Sequence, residues 1–138
     1  SMADPSFLEQ RLDASTWPVA VGDIDALLVL HLIGTLQHAS LEQLQAEPTI
    51  YLFAAGPFVL GWLLCAPLIG AYSPGGGSAP NSSIPLAIRS WIPAVAVGLA
   101  VRVFAVPNRG AEVTFAVIML VGGALFLSGW RFLYFKLR

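Results

Sequence analysis

The stretch Ile50–Tyr72, IYLFAAGPFVLGWLLCAPLIGAY, contains no charged residue. Crossing the hydrocarbon core of a bilayer takes about 20 mostly apolar residues in helical form. Lipid offers no partner to a backbone N–H or C=O, so such a run crosses as a helix that satisfies itself. Ile50–Tyr72 therefore reads as a transmembrane helix, and it sets the standard for the rest of the chain. Three further segments meet that standard. One runs from about Val19 to Leu36 and contains Asp23, Asp25 and His31. Another runs from about Leu86 to Val106 and contains Arg89 and Arg102. The last runs from about Val113 to Tyr134 and carries Arg131 near its end. The expected fold is an all-α membrane protein, a four-transmembrane-helix bundle with spans near 19–36, 50–72, 86–106 and 113–134.

Composition agrees. Of 138 residues, 57% are hydrophobic and 11% charged, where a soluble domain carries roughly 25% charged residues. Mean hydropathy is +0.75. A net charge of −1 supplies no basic field for nucleic acid. The length suits one domain, here 19–138, preceded by a polar tail over 1–18. The single cysteine, Cys65, permits no internal disulfide and lies within an apolar run, so it reads as a packed helical thiol rather than a reactive one.

The connections are short. Asp4-Pro5 can start a tail helix with Phe7, Leu8 and Leu12 on its apolar side and Trp17-Pro18 as its stop. The tail lacks the apolar core of a signal peptide and is expected in the mature protein. Ser40-Leu41-Glu42-Gln43 has the spacing of a capping box, which predicts a short interfacial helix ending before Pro48. Ser73–Pro80 is rich in glycine and proline and predicts a flexible loop. Pro107-Asn108-Arg109-Gly110 predicts a tight turn. Gly56-Pro57, Pro67 and Pro93 are expected to kink their helices. Ala94 and Gly98 have the small-xxx-small spacing that lets helices approach closely, and Gly122-Gly123 and Ser128-Gly129 mark the last span.

With four spans, the tail, the middle loop and the C-terminus share a side. That side holds Arg11, Arg89, Arg131, Lys136 and Arg138, against Arg109 and Arg102 on the other. The positive-inside rule then puts both termini on the inner, cytoplasmic or stromal, side. Asn81-Ser82-Ser83 matches a glycosylation sequon, but that placement argues against its use. Trp17, Trp91, Trp130, Tyr51, Tyr72 and Tyr134 fall near span ends, where an aromatic belt is expected.

Ionisable groups within spans are costly and turn toward the bundle interior or a partner. Tracing helix directions sorts them into two clusters: Asp23, Asp25 and Arg131 toward the inner side, and His38, Arg102 and Glu112 toward the outer side. These are read as ion pairs that fix the helix register, in preference to a polar pathway, since a relay needs acidic groups near mid-membrane. Arg102 can also snorkel outward. His31, roughly midway along the first span, is the one candidate there. Hydrogen-bonded packing is its favoured role, with a proton path or ligation of a porphyrin-type pigment as the alternatives. His31 and His38 sit about 10 Å apart in rise along one helix, too far to share a metal. No phosphate loop, nucleophile–base pair or Cys/His metal spacing occurs, so no catalytic residue is assigned and the protein is not expected to be an enzyme.

Several of these positions form a pattern. Asp23 heads the first span, and Gly34-Thr35-Leu36-Gln37-His38 closes it. Pro57-Phe58 and Gly61-Trp62 follow in the second. Gly98-Leu99-Ala100-Val101-Arg102, Phe115 and Gly129-Trp130-Arg131 complete the set. Together they resemble a family of small four-helix integral membrane proteins of unknown function, with prokaryotic and plastid members. The resemblance runs from about Val19 to Phe132, and the acidic tail and the Ser40–Glu47 insert look like additions. It implies the four-helix fold and no established activity.

The leading expectation for function is a small subunit or assembly factor of a larger integral membrane complex. The bundle is too small to enclose a large substrate cavity, and its tails suit a partner's surface. Ser1 ahead of Met2 fits a removed targeting segment or a scar of expression engineering. On the first reading the complex is photosynthetic, the membrane is the thylakoid, and lipid, chlorophyll or carotenoid contacts arise through the partner. A bacterial inner membrane is the alternative location. The rival function is a proton-coupled carrier acting as an oligomer through Asp23, His31, Arg102 and Arg131.

Overall fold

A computed structural model describes residues 6–138 of the chain. Among the described residues every regular element is helical. Two short helices, α1 (Phe7–Arg11) and α3 (Leu41–Ala46), accompany four long ones: α2 (Trp17–Leu36), α4 (Thr49–Ile69), α5 (Pro80–Ala105) and α6 (Val113–Leu137). All four long helices have the length and apolar composition to cross a membrane. Their outer surfaces are apolar too: Leu63, Leu64, Val121 and Leu125 are each at least half exposed. Water would penalise that surface and lipid does not. The protein is a multi-pass membrane protein.

Local chemistry sets the helix ends. The predicted start at Asp4-Pro5 lies outside the described residues. Within them α1 is capped by Ser6, whose Oγ accepts from Glu9 N at 3.2 Å while Ser6 N donates back to Glu9 Oε2 at 3.3 Å. Trp17-Pro18 does not stop this helix; it opens α2, where proline's missing N–H costs nothing in the first turn. The Ser40 capping box forms as expected, Ser40 N donating to Gln43 Oε1 at 2.7 Å and Gln43 N to Ser40 Oγ at 3.1 Å.

The uncharged run 50–72 is helical only to Ile69, because Gly70 takes φ +104. This left-handed position favours glycine, and it lets the N–H groups of Gly70 and Ala71 both close on the Ala66 carbonyl. The chain reverses there and carries Ala71 and Tyr72 inward. Conversely, α5 begins six residues before the expected Leu86, since Pro80 provides a ready first turn and Ser82 and Ser83 N–H groups bond the Ala79 carbonyl. The 107–110 turn contains Asn108 at φ 59.

Each long helix packs on two neighbours, in the ring order α2–α4–α5–α6 and back to α2. The inward stripe of α2 is Val19, Asp23, Leu27, His31 and Thr35, and that of α6 is Met119, Gly123, Leu127 and Arg131, both at a strict spacing of four. Small residues set the approach. A Cβ built on Gly61 would strike the Ala94 carbonyl, one on Gly98 the Phe58 ring, and one on Gly123 the Trp91 indole. The predicted Ala94–Gly98 spacing is thus spent on the α4–α5 contact, the most extensive in the bundle. Two aromatics assigned to the belt belong to the core instead: Trp91 and Tyr72 are buried. Trp91 Nε1 donates to the Met119 carbonyl at 2.9 Å, joining α5 to α6.

One end of the bundle gathers the tail, the 70–80 loop and the C-terminus. Arg11 Nη1 donates to the Ile69 carbonyl at 3.0 Å, a cation at the carbonyl end of α4. Asp13 N donates to the Tyr72 carbonyl at 2.7 Å, and Arg138 Nη1 to the Gly77 carbonyl at 2.6 Å.

Candidate functional site

The buried polar network at this end joins every span. Asp23 of α2 and Arg131 of α6 are both fully buried, and their carboxylate and guanidinium meet in a two-pronged pair, Nη2–Oδ2 at 2.7 Å and Nε–Oδ1 at 3.1 Å. Arg131 Nη1 reaches on to the Ser83 carbonyl and Oγ of α5, both at 3.1 Å, and to the Ala71 carbonyl at 3.3 Å. Tyr72 OH donates to Asp23 Oδ2 at 2.7 Å and accepts from Trp62 Nε1 of α4 at 2.7 Å. Burial, with the Asp23 charge adding to it, pushes the Tyr72 hydroxyl far above its ordinary range, so it stays protonated and remains a donor.

A buried ion pair loses hydration that only well-shaped bonds return. Here the guanidinium fork matches the carboxylate, and Nη1 meets carbonyl and hydroxyl oxygens. The resulting arrangement is a closed set of bonds among four helices, and it fixes their register.

Asp25 takes no part. It is exposed on the outer face of α2, two residues from Asp23 and therefore on nearly the opposite side of the helix. It lies in a shallow groove between α2 and α6 that Gly22, Ala26, Gly129 and Trp130 help to line. Among the described residues it has no hydrogen-bond or ion-pair partner. Arg89, placed above within the third span and counted toward the inner-side charge, is likewise exposed on α5 without a partner among the described residues.

His31 is 5% exposed. Its Nδ1 donates to the Leu27 carbonyl at 2.7 Å, and its ring stacks on Phe58 with centroids 5.2 Å apart. That bond puts the proton on Nδ1 and leaves Nε2 as a buried acceptor with no partner among the described residues. Enclosed by the bundle, Nε2 is out of reach of a macrocycle approaching from lipid unless the helices part.

At the opposite end, Arg102, His38 and Glu112 form no ion pair among the described residues. Arg102 Nε donates to the Gly110 carbonyl at 2.8 Å, and its guanidinium lies 4.0 Å from the centroid of the Phe115 ring. His38 and Glu112 are exposed.

Sequence reasoning missed Tyr72, Trp62 and Ser83. Tyr72 was read as a belt residue, Trp62 entered only the family pattern, and Ser83 was read only as part of a sequon. A family model described as a protein of unknown function (DUF3054) matches residues 20–134. Neither a curated protein nor a solved structure matches the chain.

Proposed function

The chain belongs to the DUF3054 family of proteins of unknown function, and we propose that it acts as a small membrane subunit or assembly factor, packed against other integral membrane chains. The observation that carries this reading is the pair Asp25 and Arg89. Both are ionisable, both lie on outward faces of spanning helices, and neither is paired among the described residues. A charge facing hydrocarbon costs about 2.5 kcal/mol at mid-span and less toward the span ends, and a protein partner relieves that cost. The interior supports the same reading. Asp23 and Arg131, two of the four groups that a proton-coupled carrier would use, are held in a closed set of structural bonds.

The membrane we propose is the thylakoid, with a bacterial inner membrane as the alternative. We assign the termini to the inner side. That assignment now rests on Arg11, Lys136 and Arg138, because Arg131 is buried and Arg89 lies within a span.

The test is extraction of native membranes into polymer discs without detergent, followed by mass measurement of the discs holding the chain. The subunit reading expects masses well above one 14.7 kDa copy. A lone copy sinks it. In parallel, an Arg102→Leu variant that abolishes proton flux in vesicles while keeping its assembly would favour the carrier.

A further inference from the structure

We infer that the chain assembles head to tail in the membrane, the outer ridge of α5 on one copy seating in the α2–α6 groove of the next, with Arg89 paired to Asp25. The inference rests on the subunit reading and names the partner as a second copy.

The two unpaired charges are opposite in sign and sit on helices that occupy opposite corners of the ring, so they cannot meet within one copy. Both α2 and α5 start at the same end of the bundle. Asp23 and Ser83 bind the same guanidinium and so mark one level on the two helices. Asp25 lies two residues beyond that level and Arg89 six residues beyond its own, about 3 Å and about 9 Å of rise. The offset is about 6 Å. A helical side chain leans toward its helix N-terminus, and a long arginine stem therefore carries its head back toward the level of Asp25.

The surfaces suit each other. The open groove offers about 500 Å³, and a Cβ built on Gly129 in its wall meets nothing within 4 Å. On α5, Pro85, Ile88, Arg89 and Ile92 form one exposed ridge with the basic residue at its middle. Small residues facing a ridge of larger ones are how spanning helices approach closely. Head-to-tail contact uses one charge of each sign per copy and leaves none facing lipid once the ring closes. A two-fold dimer through the groove would instead set two Asp25 carboxylates against each other.

The test counts photobleaching steps for the full chain, carrying a fluorescent fusion, in phosphatidylcholine vesicles at low protein density. The wild type should show several steps per assembly. Asp25→Arg alone and Arg89→Asp alone should each drop to one step, an affinity loss of at least about tenfold. Mixing those two variants should restore multi-step assemblies, because each supplies the charge the other lacks, and Asp25→Arg/Arg89→Asp in one chain should assemble by itself. Restoration also shows that the single variants fold. Single steps for the mixture, or undiminished assembly of Asp25→Arg, overturn the inference. If the wild type is single in these vesicles while native discs contain a different membrane chain, self-assembly falls and the subunit reading stands. A lone copy in both settings removes both.

Discussion

Replacing Asp23 by alanine takes from Arg131 the two bonds at 2.7 and 3.1 Å that neutralise it, and from Tyr72 the acceptor of its hydroxyl. The guanidinium keeps Ser83 and Ala71 but stays fully buried with its charge uncompensated. Hydrogen bonds to charged groups contribute about 1.5–3 kcal/mol each, less the hydration the carboxylate regains. Breaking one partner of a buried pair costs about 3–5 kcal/mol, which is roughly two to four orders of magnitude in the folding equilibrium. Asp23→Asn should also fail, because its amide N–H₂ would point a donor at a donor. The double variant Asp23→Leu/Arg131→Met removes both charges. It should be more stable than Asp23→Ala, with a coupling of at least about 2 kcal/mol in the cycle. The assay is reversible unfolding in mixed detergent and dodecyl sulfate, followed by the fluorescence of the buried Trp62 and Trp91. A loss below about 0.5 kcal/mol for Asp23→Ala, or strictly additive single and double effects, would refute the reasoning.

Three further outcomes follow from the same geometry. Gly123→Ala drives a Cβ into the Trp91 indole and should cost about 1–3 kcal/mol; Gly129→Ala, with open space around it, should be neutral or stabilising by up to about 1 kcal/mol, both read in the unfolding assay. His31→Leu removes Nε2, which has no partner among the described residues, along with the Phe58 stacking, and stability should change by less than about 1 kcal/mol; a larger loss would mean that Nε2 has a bound partner in the membrane. Asp13 accepts from Ser15 N and Oγ, which holds its carboxyl below the ordinary value. Its contribution is therefore present above the usual carboxylate range and lost as pH falls through the lowered value, and an Asp13→Asn chain should show a weaker acid destabilisation of the tail, checked by proteolysis between Arg11 and Trp17.

The four spans were legible because lipid imposes one demand, length of uninterrupted apolar helix, and the sequence meets it in four places. The inward faces were harder. In a membrane bundle the outside is as apolar as the inside, so helical amphipathicity does not point to the core. The signal lay in the polar residues: Asp23, His31 and Thr35 fall on one spacing of four with Val19 and Leu27, and Asp25 falls off it. Sorting by that spacing would have separated the two aspartates. Tyr72 was unreadable for another reason. Its place depends on the left-handed turn at Gly70, which ends α4 early and swings the ring inward beneath Asp23. Arg102 could not be assigned a partner from helix register, since its acceptor is a backbone carbonyl in the loop, Gly110.

The claim that the outward faces of α2 and α5 are covered by protein is open to direct measurement. Spin labels placed one at a time at Val29, Ile92 and, as a lipid-facing reference, Leu64 in a Cys65→Ala background report local oxygen accessibility in native membranes. The account predicts that labels at positions 29 and 92 are shielded from oxygen relative to position 64, and that Asp25→Asn removes the shielding at 29. Equal, lipid-like accessibility at all three positions would contradict it.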